Sequence, residues 1–207
     1  MKEDMRGLTD SYTIKAREIE ARLQEFRKER NIEDWFYELC FCIMAVQTSG
    51  LRAAEVEKQL REKKFFEKDF DPMPVLRKTY IRFHNRKSEH LIALKKQFPE
   101  IAEKIKSEKN NFELRAWLVK NIKGIGLKEG SHFLRNIGRT QELAILDRHI
   151  LRNMEKFGII TGLPKTLTEK VYFDLEKKFQ NFSKEINLTP AALDLYFWSE
   201  AVGVVGK

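Results

Sequence analysis

Two residues in this chain have the types and spacing to act together on an electrophilic carbon, Lys128 and Asp147. A neutral lysine amine is a nucleophile, and a carboxylate beside the attacked carbon stabilises the positive charge that develops there. Lys128 follows Lys123-Gly124-Ile125-Gly126-Leu127 and falls in the first turn of a helical pattern. The positive end of a helix dipole and the nearby Lys123 both disfavour another positive charge at that position, which favours the neutral amine. Asp147, 19 residues further on, opens the run Asp147-Arg148-His149-Ile150-Leu151-Arg152. Taken singly, a lysine is most often a solvated surface residue and an aspartate at a helix start is most often a cap. A capping aspartate can still face the reacting carbon, and the pair in this order is more specific than either member.

The elements that must position this pair are legible around it. An amphipathic segment stops at Lys123, the Gly124-Ile125-Gly126 turn follows, and a second helical pattern begins at once. The glycines permit positive φ and a close backbone approach to a ligand. Ile125 is apolar and should point inward, leaving the amides of Gly124 to Lys128 at a helix N-terminus as an anion site. This is the helix-hairpin-helix pattern, and a DNA phosphate is its natural anion. Lys123, Gly124, Ile125 and Gly126 are therefore expected at the DNA backbone. His132 and His149 lie close to the pair in sequence and are expected to be structural or backbone-contacting, with no role in proton transfer.

The rest of the chain reads as helices. Segments are expected at 9–29, 32–46, 51–64, 100–107, 111–122, 128–137, 147–157, 168–180 and 190–201, with a helix before Pro99 closed by that proline. The 32–46 segment is apolar on nearly every face and reads as a central core helix, ending at Gln47-Thr48-Ser49-Gly50 with Gly50 as a C-cap. The aromatic stretch 65–74 carries Pro72 and Pro74 and is the expected hinge. Strand-like alternation is absent, so the expected class is all-α.

Composition bounds the function. With 42% apolar and 34% charged residues the chain is globular rather than disordered. The net charge of +8 favours a polyanionic partner. The two cysteines, Cys40 and Cys42, lie on different faces of a helix and cannot pair with each other, so they read as buried thiols in a reducing cytosol. Two thiols cannot hold a four-cysteine iron–sulfur cluster, and the four histidines show no zinc spacing. No apolar run approaches the ~20 residues of a membrane span, and the N-terminus carries no signal-peptide pattern.

The hairpin, Lys128 and Asp147 resemble the active-site pattern of bifunctional helix-hairpin-helix DNA glycosylases. More closely, the chain resembles the type-2 8-oxoguanine DNA glycosylase/AP lyase family of archaea and thermophilic bacteria. The resemblance covers almost the whole chain, through Lys123 to Lys128, Ser131-His132-Phe133-Leu134-Arg135-Asn136, Asp147 to Leu151, Arg82-Phe83-His84-Asn85, and Leu193 through Lys207. Gly130 stands where such hairpins often carry alanine.

That resemblance implies a two-lobed helical fold with the active site in a cleft between lobes. Residues of roughly 75–165 would form the hairpin lobe, and 1–74 with 166–207 the second. It implies that 8-oxoguanine is flipped out of double-stranded DNA, that Lys128 attacks the deoxyribose, that Asp147 assists, and that β-elimination then nicks the strand. No cofactor, metal or obligate protein partner is implied, and a cytoplasmic, nucleoid-associated monomer is expected. Lys207 at the C-terminus, Trp198, Asp194 and Phe83 are expected to bind the base, and Gln47 to wedge into the gap it leaves. The rival readings are a non-enzymatic helix-hairpin-helix DNA-binding module, which has no need of the Lys128 and Asp147 pair, and a related glycosylase for another damaged base.

Overall fold

The computed structural model describes residues 2–206, with side chains from residue 7 onward, so Lys207 lies outside the described residues. Ten α-helices and no strand are found among them: α1 Lys2–Arg27, α2 Ile32–Ala45, α3 Gly50–Glu62, α4 Met73–Lys78, α5 His84–Ser107, α6 Asn111–Asn121, α7 Leu127–Asn136, α8 Arg148–Lys156, α9 Glu169–Glu185 and α10 Pro190–Val202. No helix of the described residues is long and apolar enough to cross a membrane.

The chain divides into two compact units at positions the sequence did not mark. One comprises residues 29–137 and the other residues 1–28 together with 138–207, in place of the expected break near residue 75 and return near 165. The aromatic stretch expected as a hinge is instead part of a core. Phe65 is buried and packs on Phe36 and Phe70, while Phe66 meets Phe36 and Phe98 at ring centroids of 5.2 and 5.6 Å. Rings of this size bury too much apolar surface to serve as a solvated linker.

In the 29–137 unit, α2 is the central element, as its composition requires. It is capped by Asn31, whose side chain accepts from the Asp34 amide, and is buried from Phe36 through Met44, including Cys40 and Cys42. Helices α3, α5 and α7 pack around it. Gly50 does not cap α2. Ser49 caps the next helix by accepting from the Arg52 amide, and Gly50 is the first residue of α3. Pro99 does not close α5 either. It sits on the exposed face, while Leu91, Leu94, Phe98, Ile101, Ala102 and Ile105 form one buried stripe on both sides of it. Burial of that stripe outweighs the single backbone bond a proline removes.

In the other unit, α1 packs against α10 through Tyr12 and Tyr196, with ring centroids 5.7 Å apart, and Lys15 pairs with Glu200 at 2.7 Å. Helix α1 begins well before residue 9, and Leu8 in its early part is buried. Phe157, at the end of α8, stacks on Phe197 of α10 at 5.4 Å. Thr189 caps α10 and Pro190 begins it, an arrangement favoured because proline has no amide to leave orphaned.

Candidate active site

The hairpin joins α6 to α7. Ile122 ends α6 by donating its amide to Leu118, and Ile125 donates to Ile122 at 3.3 Å and is buried at 5% exposure. Gly124 has φ +89°, and a Cβ there would strike the imidazole of His90. The turn thus needs glycine twice over, for its dihedral and for its contact. Gly130 in α7 lies against the buried Arg115, whose guanidinium donates to Ser131 Oγ at 2.8 Å. This seat allows α6 and α7 to approach closely.

The amides expected to face an anion are not all open. Glu129 turns back and accepts from the Gly126 amide at 3.2 Å, while the Ile125 amide is used within the turn. The carboxylate that closes the helix start also lies 3.7 Å from Lys128 Nζ. Lys128 is the second residue of α7, and its side chain is 23% exposed. Lys123 is exposed beside the turn. Glu129 was not singled out from the sequence, although a glutamate three residues after Gly126 has capping-box spacing.

Asp147 caps α8 as its residue type requires. Its Oδ1 accepts from the amides of His149 and Ile150 at 2.8 and 2.9 Å. Both bonds converge on one oxygen, so the carboxylate is oriented while Oδ2 takes neither. The approach to Asp147 is equally fixed. Leu143, Ala144, Ile145 and Leu146 are all buried, Glu176 accepts from the Ala144 amide at 2.9 Å, and the Tyr172 hydroxyl donates to the Ala144 carbonyl at 2.7 Å. Tyr172 and Glu176 stand four apart on α9, one turn of helix, and sequence reasoning missed both.

The remaining candidates fall in two groups. In the 29–137 unit, Gln47 and Phe83 line one cavity of about 720 Å³ together with Lys87, His90, Lys123 and Gly124. Both Gln47 and Phe83 are exposed and hold left-handed backbone, at φ +51° and +58°. His90 titrates below the usual histidine range, chiefly because it is partly buried and then because Arg86 lies close. In the other unit, Asp194 is buried and Trp198 half-buried on α10. Gly206 lies so close to the Trp198 ring that a Cβ would collide with it. Gly206 therefore lies against the ring expected to stack on the base. His132 is a core residue, its ring edge-on to Phe41 at 5.6 Å. His149 gives its amide to Asp147.

The all-helical fold, with a Gly-Ile-Gly turn carrying a lysine into the next helix, is that of a helix-hairpin-helix protein. Residues 19–188 match the family described as 8-oxoguanine DNA glycosylase. A protein of Methanocaldococcus jannaschii named 8-oxoguanine DNA glycosylase/AP lyase is 36% identical over 191 residues, 91% of each chain. One of the same name from Fusobacterium nucleatum is 37% identical over 194 residues, covering 90% of this chain and 89% of the relative. The crystal structure of the Methanocaldococcus jannaschii 8-oxoguanine DNA glycosylase superposes with a TM-score of 0.89 at 32% identity, over 100% of this chain and 97% of that one. That enzyme in complex with a 15mer DNA containing 8-oxoguanine gives 0.87 at 32%, over 97% of this chain and 99% of the other. The chain belongs to the 8-oxoguanine DNA glycosylase family.

Proposed function

We propose that this chain is a bifunctional DNA repair enzyme, an 8-oxoguanine DNA glycosylase and AP lyase acting on duplex DNA. The observation that carries this reading is its agreement, along nearly its whole length and in both sequence and fold, with proteins bearing that name. Lys128, an amine at a helix start, and Asp147, an oriented carboxylate, are the groups that such chemistry needs.

The oxidised base leaves the stack, because its glycosidic bond is out of reach inside the duplex. Lys128 Nζ, once deprotonated, attacks the anomeric carbon of the deoxyribose, and the base departs with the electron pair of the broken C–N bond. The two amine protons pass to the base and, when the ring opens, to O4′. Asp147, held through Oδ1 by two amides, turns Oδ2 to the sugar and stabilises the positive charge developing on it. The sugar ring opens to a Schiff base on Lys128 Nζ. Loss of a proton from C2′ and of the 3′ phosphate then breaks the strand, and water releases the lysine.

Trp198 and Phe83 provide stacking faces, Asp194 an acceptor one turn from Trp198, and Lys207 a cation for the base. Gln47 fills the gap in the duplex. Lys123 and the Gly124 to Gly126 turn hold a phosphate, using the Lys123 charge and the amides that Ile122 and Glu129 leave open. The enzyme works as a monomer in the reducing compartment that contains the genome. Incubation with a duplex carrying one 8-oxoguanine tests the reading. Free 8-oxoguanine and a nicked strand should appear together, whereas retained binding without base release would overturn it.

A further inference from the structure

We propose that Lys87 is a positioning residue for base flipping, its side chain holding Gln47 in the left-handed turn from which it enters the duplex. The inference rests on the reading of Gln47 given above. Lys87 lies on α5 and is 4% exposed. Its ammonium donates to the carbonyl of Met44 at 2.8 Å, the carbonyl of Val46 at 2.6 Å and Thr48 Oγ1 at 3.0 Å. The three acceptors lie on both sides of Gln47, so one cation gathers the chain around the single residue whose φ is +51°. A cation is also the favoured charge at the C-terminal end of α2. The backbone amide of Lys87 donates to the carbonyl of Phe83 at 3.0 Å. One residue therefore ties together the two left-handed non-glycine residues that line the same cavity.

The same bonds argue against Lys87 as a nucleophile. Three oxygens take all three of its N–H groups, and a protonated amine has no lone pair to attack with. Burial, followed by the nearby Arg82, lowers its pKa to about 8, and Glu129 of α7 opposes them. Arg86, Glu89 and His90 of α5 and Lys123 of the hairpin line the same cavity, and the last turn of α2 presents carbonyls to the ammonium. As pH rises through about 8 the amine is left with at most two donors and no charge, so one acceptor is released. Stability moves the other way. The unfolded chain keeps this proton up to its ordinary pKa of 10.5, so it binds more protons than the folded chain in that window, and the group's contribution to stability increases with pH. A loss of function between pH 8 and 9 without a loss of stability therefore separates positioning from mere scaffolding.

The test is the fluorescence of 2-aminopurine placed beside 8-oxoguanine in a duplex, read from pH 6.5 to 9 with the full chain and its variants. Wild type should show a rise on binding that falls several-fold with a midpoint near pH 8. Lys87→Arg should hold its signal to pH 9, which also sets aside titration of the DNA. Lys87→Met should give a low, pH-independent signal like that of Gln47→Ala, while thermal melting shows it folded. If Lys87→Met matches wild type at every pH, or if Lys87→Arg shares the wild-type midpoint, the inference fails; the arginine comparison decides even if the methionine variant does not fold. No rise for wild type at pH 7 would overturn the base-flipping reading itself, and the inference with it.

Discussion

The two residues proposed to react, Lys128 and Asp147, belong to different units of the chain, and they are held by different means. Asp147 is fixed locally. Its Oδ1 takes two amides of its own helix, and the four residues before it are buried, with Ala144 bonded to both Tyr172 and Glu176. Lys128 lies 3.7 Å from the Glu129 carboxylate and has a side chain 23% exposed. What fixes its place is the backbone of the hairpin, through Gly124 against His90 and Gly130 against Arg115. In the proposed reaction the carboxylate is oriented before charge develops on the sugar, and rigid hydrogen bonds suit that role. The proposed nucleophile swings to form and release a covalent bond, and a fixed backbone with a freer side chain suits that role.

Substitutions can break or sharpen this contrast. The largest effect is expected from Asp147→Asn, since asparagine caps a helix as well as aspartate does but carries no charge. Base release should slow by about 10²–10³-fold, with a melting temperature close to wild type. A melting temperature that falls with the rate would mean that Asp147 is only a cap. Gly124→Ala should come next, because it forces a Cβ into left-handed backbone and into His90. A loss of about 1–3 kcal/mol in denaturant unfolding is expected, with weaker binding to undamaged duplex. Tyr172→Phe removes the hydroxyl that donates to the Ala144 carbonyl. It should cost about 1 kcal/mol and slow base release a few-fold, while leaving affinity for undamaged DNA unchanged. Gly130→Ala should be nearly neutral, within about 1 kcal/mol, as better helix propensity offsets crowding of Arg115 Cγ at 3.1 Å.

The same contrast governs what the sequence disclosed. The Asp147 cap, the hairpin turn and the buried Ile125 follow from local rules acting over three or four residues, and all are legible. So is α2, which is apolar over more than three turns. Features decided by distant partners were not legible. Pro99 passes through α5 because the buried stripe continues beyond it, and residues 65–70 join a core because Phe36 and Phe98 are there to receive them. Left-handed backbone at Gln47 and Phe83 has no glycine to announce it. Lys87 looks like any charged residue in a charged helix until the carbonyls at the end of α2 are brought to it. Glu129 is the intermediate case, since its spacing from Gly126 was visible but its second neighbour, Lys128, gave no reason to single it out.

Borohydride trapping decides whether Lys128 is the nucleophile. A duplex with one 8-oxoguanine is incubated with wild type or Lys128→Gln, reduced, and resolved by mass. Wild type should yield a covalent protein–DNA adduct of one chain per strand, and Lys128→Gln should yield none while still binding the duplex. An adduct that survives the substitution would show that a different amine reacts and would contradict the account.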